Sequence, residues 1–162
     1  MNTAKLAILV SAISAAPAFA QAMSPADFVK QAGASDLYER QSSQMVLVTS
    51  KDPKVRGFAQ HMIKDHTKST ADVKAAAMKA GLHPAPPKLM PMQAADIAKL
   101  RAAKGADRDK LYMQQQATSH QQALALHKGY AQNGTSPPLK MAAAKIAPVV
   151  QEHINMLNKG GM

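Results

Sequence analysis

The stretch Phe58-Ala59-Gln60-His61-Met62-Ile63-Lys64-Asp65-His66-Thr67 decides the fold. It opens as an amphipathic helix and then sets two imidazoles and a carboxylate into its middle. Val55, Ala59, Met62, His66, Ser69, Val73, Ala76 and Ala80 alternate in steps of four and three, which draws one seam along a helix. His66 therefore falls in the face that meets other helices, where a polar group is costly unless it has a partner.

Working outward, Asp52-Pro53 starts this helix and Gly81 ends it, as a capping carboxylate, an N-terminal proline and a C′ glycine should. Upstream, Ser24-Pro25-Ala26-Asp27 begins a helix that should run to about Ser50. Its seam reads Phe28, Ala32, Ser35, Glu39, Ser42, Val46 and Thr49. The chain between the two helices is so short that they must form an antiparallel hairpin. Downstream, Pro84, Pro86, Pro87 and Pro91 forbid a continuing helix. Residues 81–106 thus read as a crossover with a short helix from about Met92 to Lys104, long enough to cross the end or the length of a bundle.

Asp107 or Asp109 opens a third long helix that reaches about Gln132 and stops at Asn133-Gly134. It has two candidate inward stripes. One holds Met113, Ala117, His120, Leu124, His127 and Ala131; the other holds Tyr112, Gln116, Ser119, Ala123, Leu126 and Tyr130. Ser136-Pro137-Pro138 starts the last helix, with the seam Leu139, Ala142, Ile146, Val149, His153 and Met156; Pro148 inside it should kink the helix or weaken one backbone bond. No window alternates as a strand would, so the class is all-α, two helical hairpins joined by a Pro-rich crossover.

Composition bounds the rest. Residues 1–20 carry Lys5, an apolar run from Leu6 to Ala16 and an Ala18-Phe19-Ala20 site, the pattern of a cleaved signal peptide. The run is too short and too broken by Ser11, Ser14 and Pro17 for a membrane anchor. The expectation is an exported protein, periplasmic or associated with the outer membrane, whose residues 21–162 form one domain. The absence of Cys excludes a lipoprotein anchor, disulfides and thiolate metal sites. With 4% aromatics and no Trp, the core must be built from Ala, Leu, Val, Ile and Met. Without Lys5, 19 basic residues face 10 acidic ones, leaving a charge of +9 that favours anionic lipid or polysaccharide. The lysines are scattered as on a solvated helix surface, and export makes nucleic acid an unexpected partner.

Each long helix carries one metal-competent side chain on an apolar seam: Glu39, His66, His120 and His153. Measured from the turns near Lys51 and Thr135, the two groups of each hairpin lie within about one helical turn of each other. Carboxylate and neutral imidazole suit one transition metal, Zn, Cu, Fe or Mn. Asp65 and Glu152 precede seam histidines and point about 100° away, so with His61 and His127 they are rim or supporting groups. The alternative is a structural polar layer, with Glu39 and His66 as a buried ion pair that fixes register and binds nothing. Met90-Pro91-Met92 invites a thioether copper site, whereas most other Met are ordinary stripe filler. No phosphate loop, nucleophile elbow or HExxH is present, so an enzyme is not expected.

The segments Asp36-Leu37-Tyr38-Glu39, Lys51-Asp52-Pro53-Lys54-Val55, Phe58 to Thr67, Ser119-His120-Gln121-Gln122-Ala123 and Gln151-Glu152-His153 occur in an order and spacing that resemble the exported bacterial DUF4142 family, whose members are often labelled outer-membrane proteins. The resemblance implies a ferritin-like antiparallel four-helix bundle and no particular activity. Di-iron members of the ferritin-like fold use a Glu on two helices and Glu-x-x-His on the other two. Here Ile63 and Val150 stand three before His66 and His153, and His120 stands where a lone Glu would be. The carboxylate-rich set for two irons is therefore missing, and one metal or none fits better. Arg108 and His127 depart from the aromatic or apolar residues that the resemblance implies. The leading expectation is a metal-binding, storage or stress-protective protein; the alternative is a basic envelope protein that contacts anionic lipid or polysaccharide without metal.

Overall fold

The computed structural model describes residues 23–159, so the expected signal peptide lies outside the described residues. Five helices follow in order: α1 (Pro25–Thr49), α2 (Pro53–Lys79), α3 (Pro91–Ala102), α4 (Gly105–Asn133) and α5 (Pro137–Lys159). Among the described residues there is no strand.

The ends of α1 and α2 form where the sequence chemistry places them, whereas α4 begins at Gly105, ahead of the expected Asp107 or Asp109. The Ser24 hydroxyl accepts the Asp27 amide at 3.1 Å, and the Asp52 carboxylate accepts the Lys54 amide at 2.8 Å. At the far end of α2, Gly81 takes φ +75° and the Leu82 amide reaches back to the Ala77 carbonyl at 2.9 Å. That is a left-handed helix stop, which a side chain at Gly81 would strain. Pro148 lies inside α5 without ending it. Pro148 and Ala144, whose carbonyl loses its helical donor, are both exposed, so the missing bond falls on the solvent side.

Four long helices pack side by side. α1 contacts α2 and α4, and α5 contacts α2 and α4, so α1 and α5 lie on opposite corners. The pairs Glu39–Ser119, Ser43–Tyr112 and Ser50–Asp109 run in opposite chain directions along α1 and α4. α2 and α4 are therefore parallel, and the crossover travels the length of the molecule, with α3 against α1 and α4. Arg108 fastens this joint, donating to the Ala103 carbonyl at 2.7 Å and to Thr49 Oγ1 at 3.1 Å. That contact replaces the aromatic packing expected at the position.

The seams of α1 and α2 hold except at Ser35, Thr49 and Ala80, which are not buried; Asp36, beside Ser35, is. In α4 the buried set draws on both stripes: Tyr112, Met113, Gln116, His120, Ala123, Leu124, His127 and Tyr130. The α5 seam is corrected. Val149 and Met156 are exposed, while Ala143, Ala147, Val150, Ile154 and Leu157 are buried. The helix is rolled so that its face points between α2 and α4, and both flanks of the expected seam cannot be inside at once.

The core is in two parts. One apolar cluster gathers around Phe28, Val73, Leu124 and Ile146; the other gathers around Val46, Met62, Leu100 and Tyr112. Between them lies a polar layer of Asp36, Glu39, Ser42, Ser43, His66, Ser69, Gln116, His120 and His153, all buried.

Candidate metal centre

Three of the four expected groups meet in this layer. His66 from α2, His120 from α4 and His153 from α5 are at most 3% exposed, and each offers a ligand atom within 4.8 Å of the other two. Their ring centroids are 5.2 to 5.5 Å apart.

The outer nitrogen of each ring is held by an acceptor. His66 Nδ1 donates to Asp36 Oδ1 at 2.8 Å, His120 Nδ1 to the Gln116 carbonyl at 2.9 Å, and His153 Nε2 to Asp65 Oδ2 at 3.0 Å. A carbonyl or carboxylate can only accept, so these bonds place the proton of each neutral ring on the outside. The inner nitrogens, His66 Nε2, His120 Nε2 and His153 Nδ1, are then lone pairs. His120 Nε2 and His153 Nδ1 lie 3.3 Å apart, a separation at which two lone pairs repel unless a cation or a proton stands between them. His66 Nε2 is buried and has no partner.

The electrostatics favour neutral rings at two of the three positions. Burial, which penalises the charged form, pushes His153 down to about 4 against the pull of Asp65. Burial likewise lowers His120 from its ordinary range, with His66 adding to it, although Glu39 and the Gln116 carbonyl oppose. His66 behaves differently. Burial lowers it, yet the hydrogen bond and charge of Asp36, joined by Glu39 and Asp65, raise it overall.

Glu39, expected as the fourth ligand, is fully buried but stands beside the outer nitrogen of His120, with Oε1 3.8 Å from Nδ1. It does not join the three inner nitrogens. Ser119 donates to its Oε1 at 2.7 Å, while Oε2 has no partner. The expected Glu39–His66 ion pair is replaced by Asp36–His66, because Asp36 lies at the height of His66 and Glu39 lies nearly a turn away. Asp65, expected as a rim or supporting group, accepts from the outer nitrogen of His153.

The remaining rim residues are elsewhere. His61 is exposed and bonded to the Gly57 carbonyl at 2.9 Å, and Glu152 is exposed on α5, each on the outward face of its helix. His127 is buried two turns along α4 from His120, against the edge of Phe28 at 5.5 Å, with Nδ1 unpartnered. Met90 and Met92 line a separate cleft between α1, α3 and α4, to which none of the three histidines contributes.

Asp36 and Gln116 were not foreseen. A signal for Asp36 existed: Asp36 and His66 are each 15 residues from Lys51, so an antiparallel hairpin turning there sets them side by side at ~22 Å from the turn. Gln116 acts through its main-chain carbonyl, which no side-chain pattern announces.

None of the described helices is long and apolar enough to cross a membrane. No protein of curated description matches the chain. Among solved structures, a DUF305 protein from Streptomyces coelicolor superimposes with a TM-score of 0.68 at 16% identity, covering 83% of this chain and 88% of that one. At that identity the likeness speaks for the helical fold alone. The family model for the domain of unknown function DUF4142 matches residues 9–159, and the chain belongs to that family.

Proposed function

We propose that the protein is an exported, ferritin-like four-helix bundle that holds one transition-metal ion on His66 Nε2, His120 Nε2 and His153 Nδ1. The reading is carried by the three buried inner nitrogens whose outer partners are all acceptors. Outer-nitrogen bonds to carboxylate and carbonyl groups fix the tautomer and orientation of metal-binding imidazoles and raise their basicity. An all-imidazole set suits Zn(II) or Cu(II) better than Mn(II), which prefers oxygen. Asp36 and Asp65 supply two negative charges at the rings' outer edges, which offset the charge of a divalent ion. Glu39 supports His120 from outside and does not bind the ion.

Binding, storage or stress protection fits this centre better than turnover, since the three rings are at most 3% exposed and offer no open face to a substrate. Export is supported by the leader-like first twenty residues.

The test is metal analysis and calorimetric titration of protein purified without a His tag and loaded in turn with Zn(II) and Cu(II). The expected result is one equivalent per chain, lost in the His66→Ala/His153→Ala variant. An equivalent retained by that variant would overturn the assignment.

A further inference from the structure

A second concavity, lined by none of His66, His120 and His153, lies between the N-terminal half of α1, the C-terminal half of α2 and the extended segment Leu82–Met90. Its volume is about 710 Å³, inside the ~300–1,000 Å³ range of small-molecule sites. Val29, Val73, Leu82, Pro84, Pro87 and Leu89 give it an apolar lining. The wall formed by the crossover is stiff, because Pro84, Pro86 and Pro87 fix their own φ and restrict the residues before them. It is seated closely on α1: a Cβ at Gly33 would meet Pro87 Cγ at 3.2 Å. The rim carries Lys30, Lys74 and Lys88 from three different segments, all exposed, with the exposed imidazole of His83 beside them, and among the described residues no acidic one lines the groove.

We propose that this groove binds a long-chain fatty acid, its acyl chain against the apolar lining and its carboxylate among the three lysines. The apolar lining calls for hydrocarbon, and the unopposed cationic rim calls for an anionic head. The proline wall closes one side, so a flat bilayer surface cannot reach the floor, whereas a single slender chain can lie along it. The lysines hold the head by charge in a solvated setting, so binding weakens as salt screens it.

The experiment is titration of the protein with palmitate below its aggregation concentration, by calorimetry and by displacement of a fluorescent fatty acid. One saturable site is expected, weakened at least tenfold in Lys30→Glu/Lys74→Glu. The double variant Lys110→Glu/Lys128→Glu, which removes the same charge from α4, should bind within about twofold of the parent. Cetyl alcohol, with the same chain and no charge, should bind at least tenfold more weakly. Equal losses in both double variants would show attraction to net charge alone and overturn the site. So would the absence of a saturable phase, or binding only to anionic vesicles. These surface substitutions leave both apolar clusters untouched, and the outcome is independent of the metal centre.

Discussion

Two buried histidines on one face of α4 show how the same residue serves opposite ends. His120 and His127 are seven apart, both at most 2% exposed. His120 has its outer nitrogen on a carbonyl, with the Glu39 carboxylate 3.8 Å from it, and its inner nitrogen 3.3 Å from His153. His127 sits among Phe28 and Tyr130, whose rings stack at 4.0 Å, with Nδ1 unpartnered. Burial holds both neutral, but only the first is part of a converging set. Burial and periodicity alone therefore do not identify a ligand; the partner on the outer nitrogen does.

The largest expected effect separates the two positions by metal content. His120→Ala should remove the bound equivalent altogether, while His127→Leu should keep it, as read by elemental analysis after dialysis. Loss in both variants would erase the distinction.

Next comes Asp36→Asn. Without the carboxylate, His66 loses the group that orients it and raises its proton affinity, so metal affinity should fall about 10–100-fold. Breaking a buried ion pair also costs roughly 3–5 kcal/mol of stability in the metal-free protein while His66 is charged. Glu39→Gln is the contrasting variant, with an affinity loss below that of Asp36→Asn in calorimetry. A loss as large as that of His120→Ala would instead make Glu39 a direct ligand.

Acid unfolding sharpens the comparison further. His127 and His153 are each held down to about 4 from 6.5. A group depressed in the folded state takes up its proton more readily when unfolded, so stability present above about 6.5 is lost as pH falls toward about 4. The loss is on the order of 3 kcal/mol per ring. His66, raised in the folded state, acts in the opposite sense: its contribution is full below 6.5 and fades as pH rises through its higher folded value. Denaturant midpoints of the metal-free protein should therefore fall between pH 6.5 and 4, and a flat profile over that window would contradict neutral buried rings.

The smallest effect is expected at His127 itself. His127→Leu replaces an unsatisfied buried polar atom with an apolar group, so it should raise stability near neutral pH by ~1 kcal/mol. It should also remove one ring's share of the acid loss. Destabilisation would mean that Nδ1 has a partner.

Much of this was legible in the chain. The seam from Val55 to Ala76 announces the buried face of α2 and puts His66 on it, since a 3.6-residue period fixes which side chains share a face. Caps at Ser24 and Asp52 and the stop at Gly81 delimit two helices through local hydrogen bonding, which needs no distant partner. The α5 face was misread because Val149 and Met156 are as apolar as Val150 and Leu157. Pattern alone cannot choose between adjacent stripes when both are hydrophobic.

What the sequence by itself determined is the set of helices, the hairpin at Lys51 and the presence of a histidine on each of three inward faces, because those depend on spacing and nearby hydrogen bonds. What only the tertiary structure decided is the register of one hairpin on the other. That register puts Asp65 on His153 and Ser119 on Glu39, and it aims three lone pairs at one point. Such alignment is set by how two separate surfaces interlock across residues far apart in the chain, and no local period encodes it.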